Sequence, residues 1–351
     1  MRARCSSHQR IALVTSNRHY YQVGDDLALL HALHHAGIEA DLVPWTDPSF
    51  DWEGCDLVVL RSPWDYYQQR TAFIRWARHV AGCSVLLNPL PIVEWNTNKC
   101  YLHDLSLQGI PTIPTYWMTP KQPESVLRGL LEQRQWKQVI LKPAIAAESF
   151  GLSLVSTDTK ESIQAGQAHL AQMRARGYPV LIQPFYPSVI QESGEHSLIA
   201  IAGQITHAVR RVCTLVPDIV TQERSVPLQE DEVRLAHAVL SRLPPLLYAR
   251  IDLIRDETGH VRLSELELTE PRLFFAFNVK ACEYLVTMLA EMLRTLGEED
   301  LEEGDDEDEG TAVVTALFPA RQVDQQKNVF ASQASESSGK KRGHVISSSI
   351  S

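Results

Sequence analysis

The chain has 351 residues, 44% hydrophobic and 22% charged, with 17 Gly, 19 Pro and 6 Cys. This composition excludes collagen-like and disulfide-scaffold classes and supplies enough apolar residues for two or more domains. The formal charge of −10 has one source: ten acids lie between Glu298 and Glu309, and without them 33 acidic residues face 33 Lys and Arg, which argues for neither nucleic acid nor an anionic membrane as partner.

In chain order, the first ninety residues alternate strand and helix signals. Arg10–Thr15 is a short apolar run, and Asp25 is placed to cap a helix whose Leu27, Leu30, Leu33 and Ala36 keep helical spacing until Gly37. Strand signals follow at Glu39–Val43, Asp56–Leu60 and Ser84–Leu87, with a helix through Phe73–Val80. That alternation predicts a parallel sheet covered by helices, an α/β class. Past Trp95, Asn96 is placed as the N-cap of a helix ending at Gly109. Strands are predicted at Gln138–Lys142, Val180–Gln183, His196–Ala202 and Ile205–Arg211, with Gly203–Gln204 as a hairpin turn. Helices fit Lys160–Arg176, Glu230–Arg242 and Lys280–Leu296, and a hairpin spans Tyr248–Thr269. From Gly297 the chain turns to acids, Ser, Gly and Lys, a solvated, disordered tail by composition.

No apolar run approaches the roughly 18 residues of a membrane span. The six cysteines are scattered without metal spacing, which predicts reduced thiols and a cytoplasmic protein. The first ten residues lack the apolar core of a secretory signal.

The hairpin carries the chemistry. With Thr258–Gly259 as a two-residue turn, Asp252 lies opposite Glu265 and Arg250 opposite Glu267. Side chains at even spacing share a face, so Arg250, Asp252, Glu265 and Glu267 converge on one patch. Ile251, Leu253, Leu266 and Leu268 then point into the core. Such a patch can hold hard divalent cations, or it can be a solvated face with one ion pair. Glu270, just beyond, adds a fourth carboxylate. Lys142 closes a strand before the small-residue loop Ala144–Gly151, a combination suited to clamping phosphate although no P-loop motif is present. Lys99 in isolation is ordinary. The same is true of His31, His34 and His35, which fit an exposed helix face, and of Trp45, Trp52, Trp76 and Trp136, which fit packing roles.

Taken in order, several stretches resemble the ATP-grasp superfamily, in the branch of glutathione synthetase-like proteins and the D-cycloserine ligase. They are R-S-P-W-D-Y (61–66), N-P (88–89), W-N-T-N-K-C-Y-L (95–102), G-I-P-T-I-P-T (109–115) and V-I-L-K-P-A (139–144). Q-P-F (183–185), G-E-H-S-L (194–198), T-H-A-V-R-R (206–211), Y-A-R-I-D-L (248–253) and E-L-E-L-T-E-P-R-L-F (265–274) follow. The resemblance covers about residues 10–296. It implies an N-terminal α/β domain over 1–94 and an ATP-grasp domain over 95–296, with subdomains of about 95–182 and 183–296 gripping ATP, and a tail over 297–351.

The resemblance also implies roles. Lys99 and Lys142 would bind ATP phosphates beneath a mobile loop that includes Ser149, Gln183, Pro184 and Phe185 would meet the adenine edge, and Glu195 would sit near the nucleotide. Asp252, Glu265 and Glu267 would hold Mg²⁺, with Mn²⁺ as a substitute, and many relatives carry Glu-x-Asn where this chain has Glu-Leu-Glu. Arg250 and Arg211, with Lys142, would stabilise the transferred phosphate. Arg61, Trp64, Asp65 and Glu270 would line the substrate site. The implied reaction activates a carboxylate as an acyl phosphate that an amine then attacks, between two small molecules or within one. A non-catalytic ATP-binding switch or scaffold is the alternative, favoured only by the Gly-poor loop and Glu148 within it. Small-molecule carboxylates and amines are the implied partners, and the sequence leaves a homo-oligomer open.

Overall fold

The structure is a computed structural model that describes residues 9–19, 23–147, 150–191, 193–212 and 222–299. Its first unit runs β1 (Arg10–Thr15), α1 (Gly24–His35), β2 (Glu39–Pro44), β3 (Leu57–Ser62), α2 (Arg70–Ala81) and β4 (Val85–Leu87). The four strands form a parallel sheet in the order β2-β1-β3-β4. Both faces are apolar, as parallel sheets require: α1 leucines cover one, while Phe73 and Ile74 of α2 with Trp45 and Trp52 cover the other.

Two short helices, α3 (Leu90–Asn96) and α4 (Tyr101–Leu107), lead to a second sheet. It comprises β5 (Tyr116–Met118), β6 (Gln138–Pro143), β7 (Ser153–Ser156) and β8 (Val180–Pro184) in the antiparallel order β5-β8-β6-β7. Helices α5 (Val126–Arg134) and α6 (Lys160–Ala175) pack on it. The third sheet holds β9 (Glu195–Ile201), β10 (Gln204–Val212), β11 (Gln222–Val226), β12 (Tyr248–Arg255) and β13 (Val261–Glu267), in the order β11-β10-β9-β12-β13. One face packs on α4 and α7 (Glu230–Leu240), and α8 (Val279–Glu299) joins the other to the first sheet through Ile199, Ile201 and Val209.

Several local expectations need correction. Asn96 does not cap a helix; it ends α3, and the predicted helix breaks at 97–100 because the Asn96 amide bonds the β13 backbone at Leu266 and Leu268. Lys99 therefore sits in the break, where its backbone N–H donates to the Ala144 carbonyl at 2.8 Å. Asp25 is inside α1, after Val23 at the cap position. The β9–β10 turn is Ala202–Gly203, both at positive φ (50° and 77°), one residue earlier than expected. Strands β5, β7 and β11 and helix α5 were not anticipated; the strands have only three to five residues, too few to show a period. The expected disordered tail falls almost wholly outside the described residues, and α8 extends three residues past Leu296.

The hairpin β12–β13 keeps its predicted pairs by a different route. Its loop has three residues rather than two, closed by Gly259 at φ 84° and by bonds between Asp256 and His260. That shifts register by one, and an extra residue at Ser264 shifts it back, so Arg250 faces Glu267 and Asp252 faces Glu265. Ile251, Leu253, Leu266 and Leu268 are buried on the opposite face.

Asn88 joins the first unit to this hairpin. Fully buried, its amide donates to the carbonyls of Tyr248 (2.9 Å) and Leu268 (2.7 Å) and accepts from the Leu247 N–H (2.9 Å). Asn88→Ala strands three buried backbone groups, and we expect a loss of about 2–4 kcal/mol in urea unfolding. A loss under about 1 kcal/mol would show that water or a shifted backbone replaces the amide.

Candidate active site

The charged face of the third sheet alternates sign because each strand contributes residues two apart. Glu195 opens β9, and Arg211 opposite it on β10 donates to its carboxylate at 2.6 Å. The same guanidinium crosses β9 to reach Asp252 at 2.8 Å. It can do so because the intervening residue is Ser197, whose small hydroxyl accepts from Arg211 Nε (2.9 Å) and donates to Asp252 (2.7 Å). Arg250 chelates Asp252 at 2.9–3.2 Å and pairs with Glu267 on β13. Lys99 pairs with Glu265 at the end of the array. The ladder thus reads acid, base, acid, base, acid across the sheet, with a second acid–base pair beside it.

Burial makes this alternation necessary, because an unpaired charge in such a place costs several kcal/mol. Asp252 is fully buried, and burial alone would raise its pKa, but Arg211 and Arg250 overcome burial and hold it at about 2. Glu265 is likewise held below its ordinary value: burial opposes, and Lys99 and then Lys142 prevail. Glu267 shares its Arg250 with Asp252 and faces two further carboxylates. Burial and that repulsion push it up to about 8, although 22% of its side chain is exposed. Oxygens of Asp252, Glu265 and Glu267 lie within 4.8 Å of one another. An all-oxygen set with one carboxylate lacking a cation of its own fits a hard divalent ion such as Mg²⁺ or Mn²⁺.

A fourth carboxylate closes one side. Glu270 is buried and hydrogen-bonded to the buried Tyr66 hydroxyl; burial raises its pKa to about 7 against the lowering by Tyr66 and Lys99. Trp64 donates its indole N–H to the Glu270 carbonyl at 2.8 Å. Asp65 accepts the Trp45 indole N–H at 2.7 Å. Arg61 does not open onto the site: it is 1% exposed, 3.4 Å from Asp26, and donates to the Pro271 carbonyl at 3.1 Å. It is bonded to the backbone beside Glu270 instead, so the expectation that its side chain lines an open site is corrected.

Across from the third sheet, Lys142 is near the end of β6, opposite Leu181 of β8. Gln183 and Pro184 end β8, with Gln183 donating to Thr115 at 2.9 Å. The Phe185 N–H donates to the Gln138 carbonyl at 2.9 Å, which leaves this amide engaged within the protein. Ser149 and Glu148 lie outside the described residues. The sequence reading missed Ser197, Tyr66 and Asn96. For Ser197 a signal existed, because period two from Glu195 puts it on the charged face; nothing local marks the other two.

The family model described as the N-terminal domain of D-cycloserine synthetase DcsG matches residues 11–88. Cycloserine biosynthesis protein DcsG of Streptomyces lavendulae is 29% identical over 281 residues, covering 76% of this chain and 93% of that protein. The crystal structure of D-cycloserine synthetase DcsG superposes with a TM-score of 0.72 at 28% identity, over 81% of this chain and 99% of that one. D-alanine–D-alanine ligase from Bacillus anthracis shares the fold at a TM-score of 0.60 and 15% identity, over 84% and 100%. Among the described residues no helix is long and apolar enough to cross a membrane, and Cys55, Cys83, Cys100 and Cys282 are free thiols.

The carboxylate cluster sets a pH dependence. Folded protein keeps the Glu267 proton up to about 8, whereas an unfolded chain releases it near the ordinary 4.5. Stability is therefore lost as pH rises between those values and is flat beyond them. We expect the melting temperature of metal-free protein to fall from pH 5 to pH 8, Glu267→Gln to flatten much of the slope, and Mn²⁺ to restore stability most at pH 8. Metal-free melting curves with the same pH slope in both proteins would show that the cluster carries no such repulsion.

Proposed function

We propose that this chain is an ATP-grasp ligase that uses ATP to join a carboxylate to an amine nitrogen on a small amino-acid-like substrate. Ring closure within one molecule is a specific version, suggested by the relative that is a D-cycloserine synthetase. The observation that carries the reading is the single face on which Asp252, Glu265 and Glu267 stand among Lys99, Arg211 and Arg250, with Lys142 near Glu265.

In this reading Lys99 and Lys142 hold the ATP phosphates, and Asp252, Glu265 and Glu267 would hold Mg²⁺, which neutralises phosphate charge. Gln183, Pro184 and Phe185 border the adenine, with the Pro184 carbonyl as the candidate acceptor because the Phe185 amide is engaged. By the family resemblance, Ser149 would contribute to phosphate binding. A carboxylate oxygen of the substrate attacks the γ-phosphorus, the bond to the bridging oxygen breaks, and ADP leaves. Arg250 and Arg211 neutralise the transferred phosphoryl group, Arg211 being kept in place by Glu195 and Ser197. The amine nitrogen then attacks the acyl carbon, the C–N bond forms, and phosphate departs as the nitrogen loses its proton. Glu270 and Tyr66, flanked by Trp64 and Asp65, form the wall on the amine side. Catalysis here is positioning and charge neutralisation, and no protein nucleophile is required.

The test is ADP and phosphate release from Mg-ATP against pools of amino acids and small peptides. We expect substrate-dependent release that Lys142→Ala and Glu267→Ala each reduce about 100-fold or more, and hydroxylamine should trap the acyl phosphate as a hydroxamate. ATP binding without release in any pool would favour the switch or scaffold alternative, and no ATP binding would sink both.

A further inference from the structure

Asp25 and Asp26 are adjacent acids in the first turn of α1, both buried and both far in sequence from the residues they hold. The Asp25 carboxylate accepts three consecutive backbone N–H groups, those of Leu273 (2.8 Å), Phe274 (2.8 Å) and Phe275 (3.0 Å). Converging amides of this kind form an anion nest, here filled by a side chain of the protein itself. Phe274 takes the left-handed conformation, φ 53° and ψ 42°, which a bulky residue adopts only where its surroundings impose it. Asp26 holds the other end of the same segment: it lies 3.4 Å from Arg61, which donates to the Pro271 carbonyl, and accepts from Ser62.

The reason for imposing that turn lies in where the Phe274 ring goes. It is 1% exposed and lies within cation–π range of two guanidiniums, with Arg272 at 4.7 Å and Arg250 at 5.8 Å from the ring centre. Arg250 is the rung that joins Asp252 to Glu267. An aromatic face behind a guanidinium restricts its plane and adds a cation–π attraction. A continuous chain of contacts therefore runs from α1 through the 273–275 backbone and the Phe274 ring to the guanidinium in the charge ladder.

We propose that Asp25 is a positioning residue that sets the Arg250 guanidinium, acting through the left-handed turn at Phe274. A purely structural anchor would also hold the turn, but it would not couple to Arg250. The consequence for turnover rests on the ligase reading above; the contact chain does not.

The experiment compares wild type, Asp25→Asn, Phe274→Leu and the double variant. Asparagine presents one acceptor oxygen and turns an N–H₂ toward the remaining amide. We expect Asp25→Asn to melt cooperatively, to exchange the Leu273–Phe275 amides at least tenfold faster, and to lose about tenfold in kcat with KM for ATP within twofold. Phe274→Leu should lose a similar factor in kcat, and the double variant should be no worse than the weaker single within about twofold, because both interrupt one chain. Losses that multiply, or an unchanged kcat beside fast exchange, overturn the proposal. If Asp25→Asn does not fold, Phe274→Leu decides alone, since it leaves the backbone bonds in place; an unchanged kcat overturns. If wild type releases no ADP with any pool, the ligase reading fails and Mn²⁺ affinity of the carboxylate cluster decides. A threefold or larger change in Kd in both variants supports the positioning role, and unchanged affinities overturn it.

Discussion

The constraint on which this structure depends is that three carboxylates must stand together on a buried sheet face without unfolding it. Like charges at such spacing repel strongly in a poorly solvated place. The chain answers with alternation, interleaving guanidiniums between the acids so that Asp252 has two cations and Glu265 has Lys99 with Lys142 nearby. Glu267 is left sharing. This asymmetry is what gives the face chemical potential: a fully neutralised ladder would have no affinity left for a cation, and an unneutralised one would not fold.

Such a ladder tolerates little displacement, and the first unit is where its rigidity comes from. Asn88 pins the starts of β12 and the end of β13 to one side chain, while Asn96 pins Leu266 and Leu268 on the neighbouring stretch. Trp64, Arg61 and Asp25 then take hold of residues 270, 271 and 273–275 in turn. These side chains bond mainly to backbone, so the path of segment 266–275 is set largely from outside it, while Glu267, Glu270 and Phe274 carry roles of their own along it.

How much of this was legible depends on whether the determining interactions were local. The pairing of Arg250 with Glu267 and Asp252 with Glu265 followed from period two and a nearby turn, yet the turn inferred was wrong. A three-residue loop ending at Gly259 and the extra residue at Ser264 offset each other. The offset is not accidental: either irregularity alone would have turned β13 over and put Leu266 and Leu268 into the charged face. Asn96 and Asp25 look like helix caps because short polar side chains at helix starts usually serve local backbone. Here both reach across well over a hundred residues, Asn96 to the end of β13 and Asp25 to the turn at 273–275, which no local pattern announces. Arg61 was placed in the substrate site only by the family resemblance; β3 runs through Ser62 and buries it. The first, parallel sheet, the central strands of the other two and the charged face followed from local pattern or family resemblance; the short strands β5, β7 and β11 and the second layer behind the face did not.

The balance of charge bears on the order of events under the proposed function. Lys99, Lys142, Arg211 and Arg250 stand among Asp252, Glu195, Glu265 and Glu267, with Glu270 beside them; Glu267, pushed up to about 8, keeps its proton near neutrality in the metal-free protein, and Glu270 is pushed up to about 7. The site therefore offers a bare triphosphate little free positive charge, because Lys99, Arg211 and Arg250 are already engaged with acids. A triphosphate that arrives with its divalent ion changes the account twice over. Asp252, Glu265 and Glu267 would hold the ion, which would leave phosphate oxygens to replace them as partners for Lys99 and the arginines. Nucleotide and metal are thus expected to depend on each other for binding, and the same exchange frees the cations for the phosphoryl group only when it is present. Glu267 strengthens this dependence, since it keeps its proton in the metal-free state and would have to release it to hold the ion.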